Sequence, residues 1–229
     1  MINKKVSIIM SAFNAQKTIV KSLNSLINQT YQELDILIAD DGSTDKTYEI
    51  CNDFSKNYKN IFLYKNKENI GLTKTLNILI KESEGEYIGR QDADDISNEA
   101  RIEKQLDYMT KYNLDAVTCR AKIMNENRTI PKFSYYLPKK ILMSFKNPYI
   151  HGTLLIKKNI IEEMDCYNEK FYFAQDYKLI SDLHSSGKKI KIMRDQLYYL
   201  NMKNNISSDN YEEQKYFADC VKKGIEPNI

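Results

Sequence analysis

Between residues 6 and 89 the chain switches repeatedly between short apolar runs and helical apolar spacing, and few folds accommodate that rhythm. Val6 to Met10 is an apolar run; Ile19, Leu23, Leu26 and Ile27 then recur at helical intervals; LDILIAD (34–40) is a second run. Thr47, Tyr48, Cys51 and Phe54 return to helical spacing, IFLY (61–64) is a third run, Leu72, Leu76, Leu79 and Ile80 share a helical face, and EYIG (86–89) is a fourth run. Four strands alternating with three helices predict an α/β fold: a mostly parallel sheet, helices on both faces, right-handed crossovers. Ligands of such sheets lie beyond the carboxyl ends of the strands. The polar segments SAFN (11–14), DDGSTD (40–45) and RQDADD (90–95) follow three of these runs and are expected on one sheet edge.

The second half is less regular. A helix is expected over Asn98 to Tyr112, a strand near DAVTC (115–119) and a polar, Pro-containing stretch over 125–138. YIHGTLLI (149–156) reads as a strand, QDYKLISDLHSSG (175–187) as a helix ended by Gly187, and KIKIM with QLYYL, within 189–200, as two short strands. No linker or internal repeat divides the 229 residues, so one domain is expected, with halves at about 1–97 and 98–229.

A net charge of +3 is too small to argue for a nucleic-acid partner. Four scattered cysteines without a CxxC pair, and only two histidines, provide no zinc-site spacing and fit reduced thiols in a cytoplasmic protein. The apolar run in MINKKVSIIM stops at Ser11, well short of a signal-peptide core, and nothing approaches the roughly 20 apolar residues that cross a bilayer. Membrane contact would therefore be peripheral. The segment KKILMSFKN (139–147) is basic and partly amphipathic enough to touch an anionic membrane, although a core-facing helix with a solvated rim is the favoured reading.

The acidic segments carry the chemistry. In DDGSTD, Ser43 or Asp45 can cap the following helix, whereas Asp40 and Asp41 sit at a strand end, where desolvation is costly without a partner. An ionised Asp only accepts hydrogen bonds, so one of them could receive a uracil ring N–H or ribose hydroxyls. DADD could be a loop of solvated acids. It fails the calcium-loop pattern, because Ile96 and Ser97 stand where an oxygen ligand and Gly are needed. A phosphatase-type nucleophile is disfavoured, since the acids follow the fourth strand. A hard-cation site remains, with one or two carboxylates on Mg²⁺ or Mn²⁺ and diphosphate oxygens completing the shell.

With those segments in place, the chain resembles the family-2 glycosyltransferases of bacterial surface-polysaccharide type, which have the GT-A fold and use nucleotide-sugar donors. Residues 6–47 look like that family's opening block, NIGLTKTLN resembles its Asn-x-Gly segment, and GEYIGRQDADD resembles its DxD block, with Arg101 and Gln105 following. The resemblance is strong over about 5–110 and weaker over 145–200. It implies a nucleotide-sugar-binding first half and an acceptor-binding second half. It places Ser11 and Phe13 in the nucleotide pocket, Asp41 on uracil, Asp92 on the ribose or sugar side, and Asp94 on a Mn²⁺ or Mg²⁺ ion at the diphosphate. Asn14 either caps the next helix or meets the ligand; Arg90 either pairs with the acids or approaches the donor.

FAQDYKLISDL resembles the segment in which the second of two acids deprotonates the acceptor hydroxyl. Gln175 replaces the first, which leaves Asp176 as the expected base. Its ordinary pKa of about 3.9 is low for that task, so partial burial would help. His151 falls on the expected acceptor side, and Tyr135, Tyr136, Tyr149 and Tyr172 could stack on an acceptor sugar or simply pack. Met202 stands where many relatives place a metal-binding His, and it is too soft for these ions.

The implied reaction is inverting transfer from a nucleotide diphosphate sugar, UDP-linked by preference, to a hydroxyl of a glycan or lipid-linked glycan. It would occur in the cytoplasm or at the inner membrane face. Two alternatives are a degenerate nucleotide-sugar-binding domain and a sugar nucleotidyltransferase; the latter lacks its Gly-rich loop where SAFNAQ stands.

Overall fold

The computed structural model describes residues 4–126, 128–202 and 211–228. The expected alternation is present as β1 (Val6–Ala12), α1 (Ile19–Ile27), β2 (Leu34–Asp40), α2 (Thr47–Asn57), β3 (Ile61–Lys65), α3 (Leu72–Glu82) and β4 (Tyr87–Arg90). These four strands form a parallel block in the order β3-β2-β1-β4. Side chains alternate faces along a strand. Val6, Ile8, Met10 and Ala12 therefore join a core beneath α1 and α2, while Ile9, Leu37 and Ala39 join one beneath α3.

Beyond β4 the chain forms β5 (Ile96–Ser97), α4 (Arg101–Tyr112), β6 (Ala116–Ile123), β7 (Thr129–Ile130), α5 (Lys139–Met143), β8 (Leu155–Lys157), α6 (Lys158–Glu163), α7 (Gln175–Ser185), β9 (Ile190–Leu200) and α8 (Tyr211–Lys223). The sheet continues as β4-β8-β6-β9-β5, with β7 also on β6; β6 and β9 are parallel and the other new pairings are antiparallel. Ile102, Leu106 and Met109 of α4 complete the first core, and Leu179, Ile180 and Leu183 of α7 the second. A third cluster ties α8 to α7 through Phe171, Tyr177, Phe217, Cys220 and Val221.

Two expectations for the second half need correction. YIHGTLLI is not one strand: His151–Thr153 forms a 3₁₀ turn and strand pairing starts only at Leu155. Thr153 makes the bend by donating its hydroxyl to Ile150 O at 2.8 Å and accepting from Cys119 N–H at 3.1 Å. KIKIM and QLYYL are one strand, β9. Met193 pairs with Cys119 and Gln196 with Arg120, so the exposed residues 194 and 195, which mimic a loop in sequence, are the surplus of a bulge.

Candidate active site

The three polar segments meet at the carboxyl edge of the parallel block, and hydrogen bonds stitch the first two together. Asn14 N–H donates to Ser43 Oγ at 3.0 Å, and Asn14 Oδ1 accepts from Thr44 N–H at 2.9 Å. Asp45 accepts from Thr47 N–H and, through its other oxygen, from Gln16 N–H at 3.1 Å. Asp45 thus caps α2 as the sequence allows, while Ser43 and Asn14 lock the two loops and cap no helix. Ser11 is half-buried, and Phe13 is 48% exposed beside this junction, so it is not core packing.

Strand alternation separates the two adjacent acids. Asp40 is fully buried on the α2 side, and neither carboxylate oxygen has a hydrogen-bond partner among the described residues. Asp41 faces α3 and is 2% exposed. Its Oδ1 accepts from Asn66 Nδ2 at 2.7 Å and Ile70 N–H at 3.0 Å, and its Oδ2 accepts from Gly71 N–H at 3.0 Å. A carboxylate has about four lone-pair directions, so Oδ2 can take one more donor. Gly42 lets the Asn66–Gly71 segment lie this close: its φ is +74°, and a Cβ there would stand 2.5 Å from the carbonyl carbon of Glu68.

The acids after β4 sit on a buried polar frame. Arg90 is 1% exposed and donates from Nη2 to Asp92 Oδ1 at 2.6 Å, so it pairs with the acidic cluster. Gln91 donates to Asp95 O at 3.0 Å and accepts from the Ser97 hydroxyl at 2.7 Å. From α4, the buried Arg101 donates through Nη1 to Arg90 O and Gly152 O, both at 3.0 Å, and Gln105 donates to Thr153 O at 2.8 Å. Tyr198 of β9 lies under the Arg101 guanidinium and accepts Asp92 N–H at 3.1 Å.

Burial, reinforced by the charge on Asp92, pushes the Asp94 carboxyl up to about 6; Arg90 and Asn201 oppose that shift. Burial and the same neighbour also raise Asp95. Asp95 does not cap α4; Asn98 shapes the turn before that helix by accepting from Ala100 N–H at 3.1 Å. Asp95 Oδ1 instead accepts Asn201 N–H at 2.7 Å, and Asn201 Nδ2 reaches Asp94 Oδ2 at 3.4 Å. The segment after β9 therefore returns to the acids, with Asn201 touching them and Met202 43% exposed next to it. The rest of that segment, from Lys203, lies outside the described residues.

No group of three or more His, Cys, Asp or Glu gathers as a metal cage among the described residues. Asp94 and Asp92 nonetheless fit a cation that brings most of its own ligands, because Mg²⁺-type ions are commonly held by one or two carboxylates together with substrate phosphates. Arg90 already neutralises one oxygen of Asp92, whereas Asp94 Oδ2 has a long Asn201 contact and the carboxyl a raised pKa, the condition a cation would relieve.

Asp176 lies in the first turn of α7, half-buried, and its Oδ2 accepts from Asn147 Nδ2 at 2.8 Å. Gln175 is 9% exposed. His151 and Tyr167 form a pair, joined Nε2 to hydroxyl at 2.7 Å. Both residues feel the charges of Arg90, Asp176 and Asp92, so this polar pair lies within electrostatic reach of both acids. Burial, aided by Arg90, pushes His151 down to about 4, which keeps the imidazole neutral. Of the four tyrosines, Tyr149 is core at 4% exposed, whereas Tyr172 is 56% exposed and packs against Gly71.

Residues 7–173 match the model of Glycosyl transferase family 2. An uncharacterized glycosyltransferase of Haemophilus influenzae is 32% identical over 95% of this chain and 72% of its own length. Residues 1–349 of Staphylococcus aureus TarS in complex with UDP-GlcNAc superpose with a TM-score of 0.77 at 21% identity, covering 98% of this chain and 68% of that one. TarS is a poly(ribitol-phosphate) β-N-acetylglucosaminyltransferase. A mannosyltransferase of Pyrobaculum calidifontis, in complex with GDP-Man and Mn²⁺, superposes with a TM-score of 0.77 at 17% identity over 98% of this chain and 66% of that one. The fold is therefore GT-A, and the chain spans about two thirds of the length of these structural neighbours.

Proposed function

Because the chain belongs to glycosyl transferase family 2 and is a glycosyltransferase, we propose that it performs inverting transfer of a sugar from a UDP-sugar to a hydroxyl of a cell-surface glycan or lipid-linked glycan. What supports this reading is that Asp92, against Gly152, and Asp176, lining one cavity with His151 and Asn147, both act electrostatically on the His151–Tyr167 pair. That arrangement puts a donor-side carboxylate and an acceptor-side carboxylate within electrostatic reach of one point. The UDP-GlcNAc complex of TarS supports the donor class, and the poly(ribitol-phosphate) in that protein's name supports a surface polymer as acceptor.

In this reading Asp41 receives the uracil N–H on the open lone pair of Oδ2, Ser11 and Phe13 line the base, and Asp92, steadied by Arg90, receives hydroxyls of the ribose or sugar. Asp94 holds a divalent cation, Mn²⁺ or Mg²⁺, which would supply positive charge at the diphosphate when bound. The acceptor oxygen forms its bond to the anomeric carbon as the carbon–oxygen bond to the diphosphate breaks, with the electron pair leaving on the diphosphate. Asp176, oriented by Asn147, takes the acceptor proton. His151 is neutral and forms the acceptor-side wall without adding a charge next to the sugar. The enzyme works in the cytoplasm, with its acceptor presented at the inner face of the membrane.

Asp176→Asn tests the base: transfer should fall by about a thousandfold while UDP affinity by calorimetry stays within about twofold. Near-normal turnover would remove Asp176 from that role. A panel of nucleotide-sugars with Mn²⁺ or Mg²⁺, scored by donor hydrolysis, identifies the donor.

A further inference from the structure

The helix α5 presents apolar side chains on two faces. Leu142 and Met143 pack into the core, as the sequence leads one to expect, but the outer rim is not polar. Ile141 and Phe145, four apart and hence on one side of the helix end, are 61 and 69% exposed, and Tyr136 and Leu137, just before the helix, are 70 and 52% exposed. Phe145 N–H and Lys146 N–H both bond to Leu142 O at 2.9 Å, so helical hydrogen bonding carries on past Met143 as far as Phe145.

Along the sequence that carries the stripe, charge is one-sided. Between Glu126 and Glu162 the sequence contains no Asp or Glu, against seven Lys and Arg. Arg128, Lys157 and Lys158 pair with Glu126, Asp115 and Glu162. Lys139 and Lys146 stand at either end of the helical segment that carries the stripe. Lys139 donates to the carbonyls of Ser134 and Leu137, which anchors its ammonium at the stripe's edge without neutralising it.

From this combination we infer that the Tyr136–Lys146 face docks on an anionic lipid bilayer, with Leu137, Ile141 and Phe145 entering the headgroup boundary and the lysines meeting lipid phosphates. Apolar side chains bordered by cations match such a surface in both of its forces. A second copy of this chain is a poorer occupant, because a twofold contact would set lysines against lysines. A glycan is poorer too, since Leu, Ile and Phe offer no hydrogen bonds. Asn147, the residue after Lys146, holds Asp176, so the docked face is continuous with the acceptor side. That last link rests on the proposed function; the docking does not.

The test is co-sedimentation with phosphatidylcholine vesicles carrying about 30% phosphatidylglycerol, against phosphatidylcholine alone. The wild-type chain should sediment with the anionic vesicles only. Ile141→Ser with Phe145→Ser should lower partitioning at least about tenfold, with unchanged circular dichroism and wild-type donor hydrolysis in free solution. Lys146→Glu should weaken binding at low salt and lose its effect at high salt. Absence of wild-type binding, equal binding to neutral vesicles, or full binding by the double variant overturns the inference. So does a dimer in ultracentrifugation that the double variant abolishes, or loss of donor hydrolysis in that variant. Asp176→Asn should still bind vesicles, so failure of the catalytic reading and failure of the docking are distinguishable.

Discussion

The Asp92 carboxylate rests against the bare Cα of Gly152: a methyl group on Gly152 would stand 2.6 Å from Asp92 Oδ2 and 2.6 Å from the Tyr198 hydroxyl. The 3₁₀ turn and the acidic loop approach so closely because nothing projects between them, and Arg101 holds both by donating to Arg90 O and Gly152 O. Gly152→Ala must therefore move either the carboxylate or the tyrosine. Overpacking of this kind costs about 1–3 kcal/mol. The expected result is donor affinity weakened by about tenfold or more with a modest loss of thermal stability, read by calorimetry and thermal unfolding. Unchanged donor affinity in Gly152→Ala would show that the position of Asp92 is not set by this contact.

Much of this arrangement was legible beforehand, and the remainder was not, for identifiable reasons. Hydrophobic period alone placed β1 to β4 and their helices, because each element buries one face and the pattern repeats without interruption. The acids followed from their position at strand ends. Gly152, Tyr198, Asn147 and Asn201 were missed because each acts through a contact distant in sequence: Tyr198 touches Asp92 across 106 positions and Asn147 touches Asp176 across 29. No local pattern marks a tyrosine in a bulged strand as the support of a loop. The bulge itself looked like a loop because its residues 194–196 are exposed.

Arg101 is a second support whose removal should be costly. Its side chain is fully buried and its guanidinium bridges the carbonyls of Arg90 and Gly152. Arg101→Leu should destabilise the fold by about 2–4 kcal/mol, because it leaves both acceptors buried and unpaired. Arg101→Lys should recover only part of this, since one compact ammonium does not reproduce the planar fork stacked on Tyr198. Urea unfolding of the two variants gives the comparison, and equal midpoints for Leu and wild type would contradict it.

Asp41 does structural work even before any ligand arrives. Its oxygens accept three hydrogen bonds from Asn66, Ile70 and Gly71, so Asp41→Ala should loosen that segment and cost about 2–4 kcal/mol. Asp41→Asn keeps an acceptor for some of these donors but sets an NH₂ against others. It is expected to fall between wild type and Ala in stability while losing UDP binding as fully as Ala does. Hydrogen exchange of the Ile70 and Gly71 amides should rise in both variants, and protection left at wild-type levels would refute the anchoring role.

The buried His151 gives stability a defined dependence on pH. Its folded pKa is depressed to about 4 by burial and then by Arg90, while Tyr167, Asp92 and Asp176 also face it, and the ordinary value is 6.5. Between those values the unfolded chain binds a proton that the folded chain does not, so this residue's contribution falls as pH drops from about 6.5 towards 4. Asp94, raised to about 6, acts in the opposite sense: its folded carboxyl binds a proton at a pH where the unfolded one is ionised. The clean measurement is therefore a difference. His151→Gln retains a group that can bond to the Tyr167 hydroxyl but cannot titrate, so the stability gap between wild type and variant should narrow in the variant's favour on going from pH 7 to pH 4.5. A gap that stays constant across that range would mean that His151 titrates at its ordinary value in the folded protein.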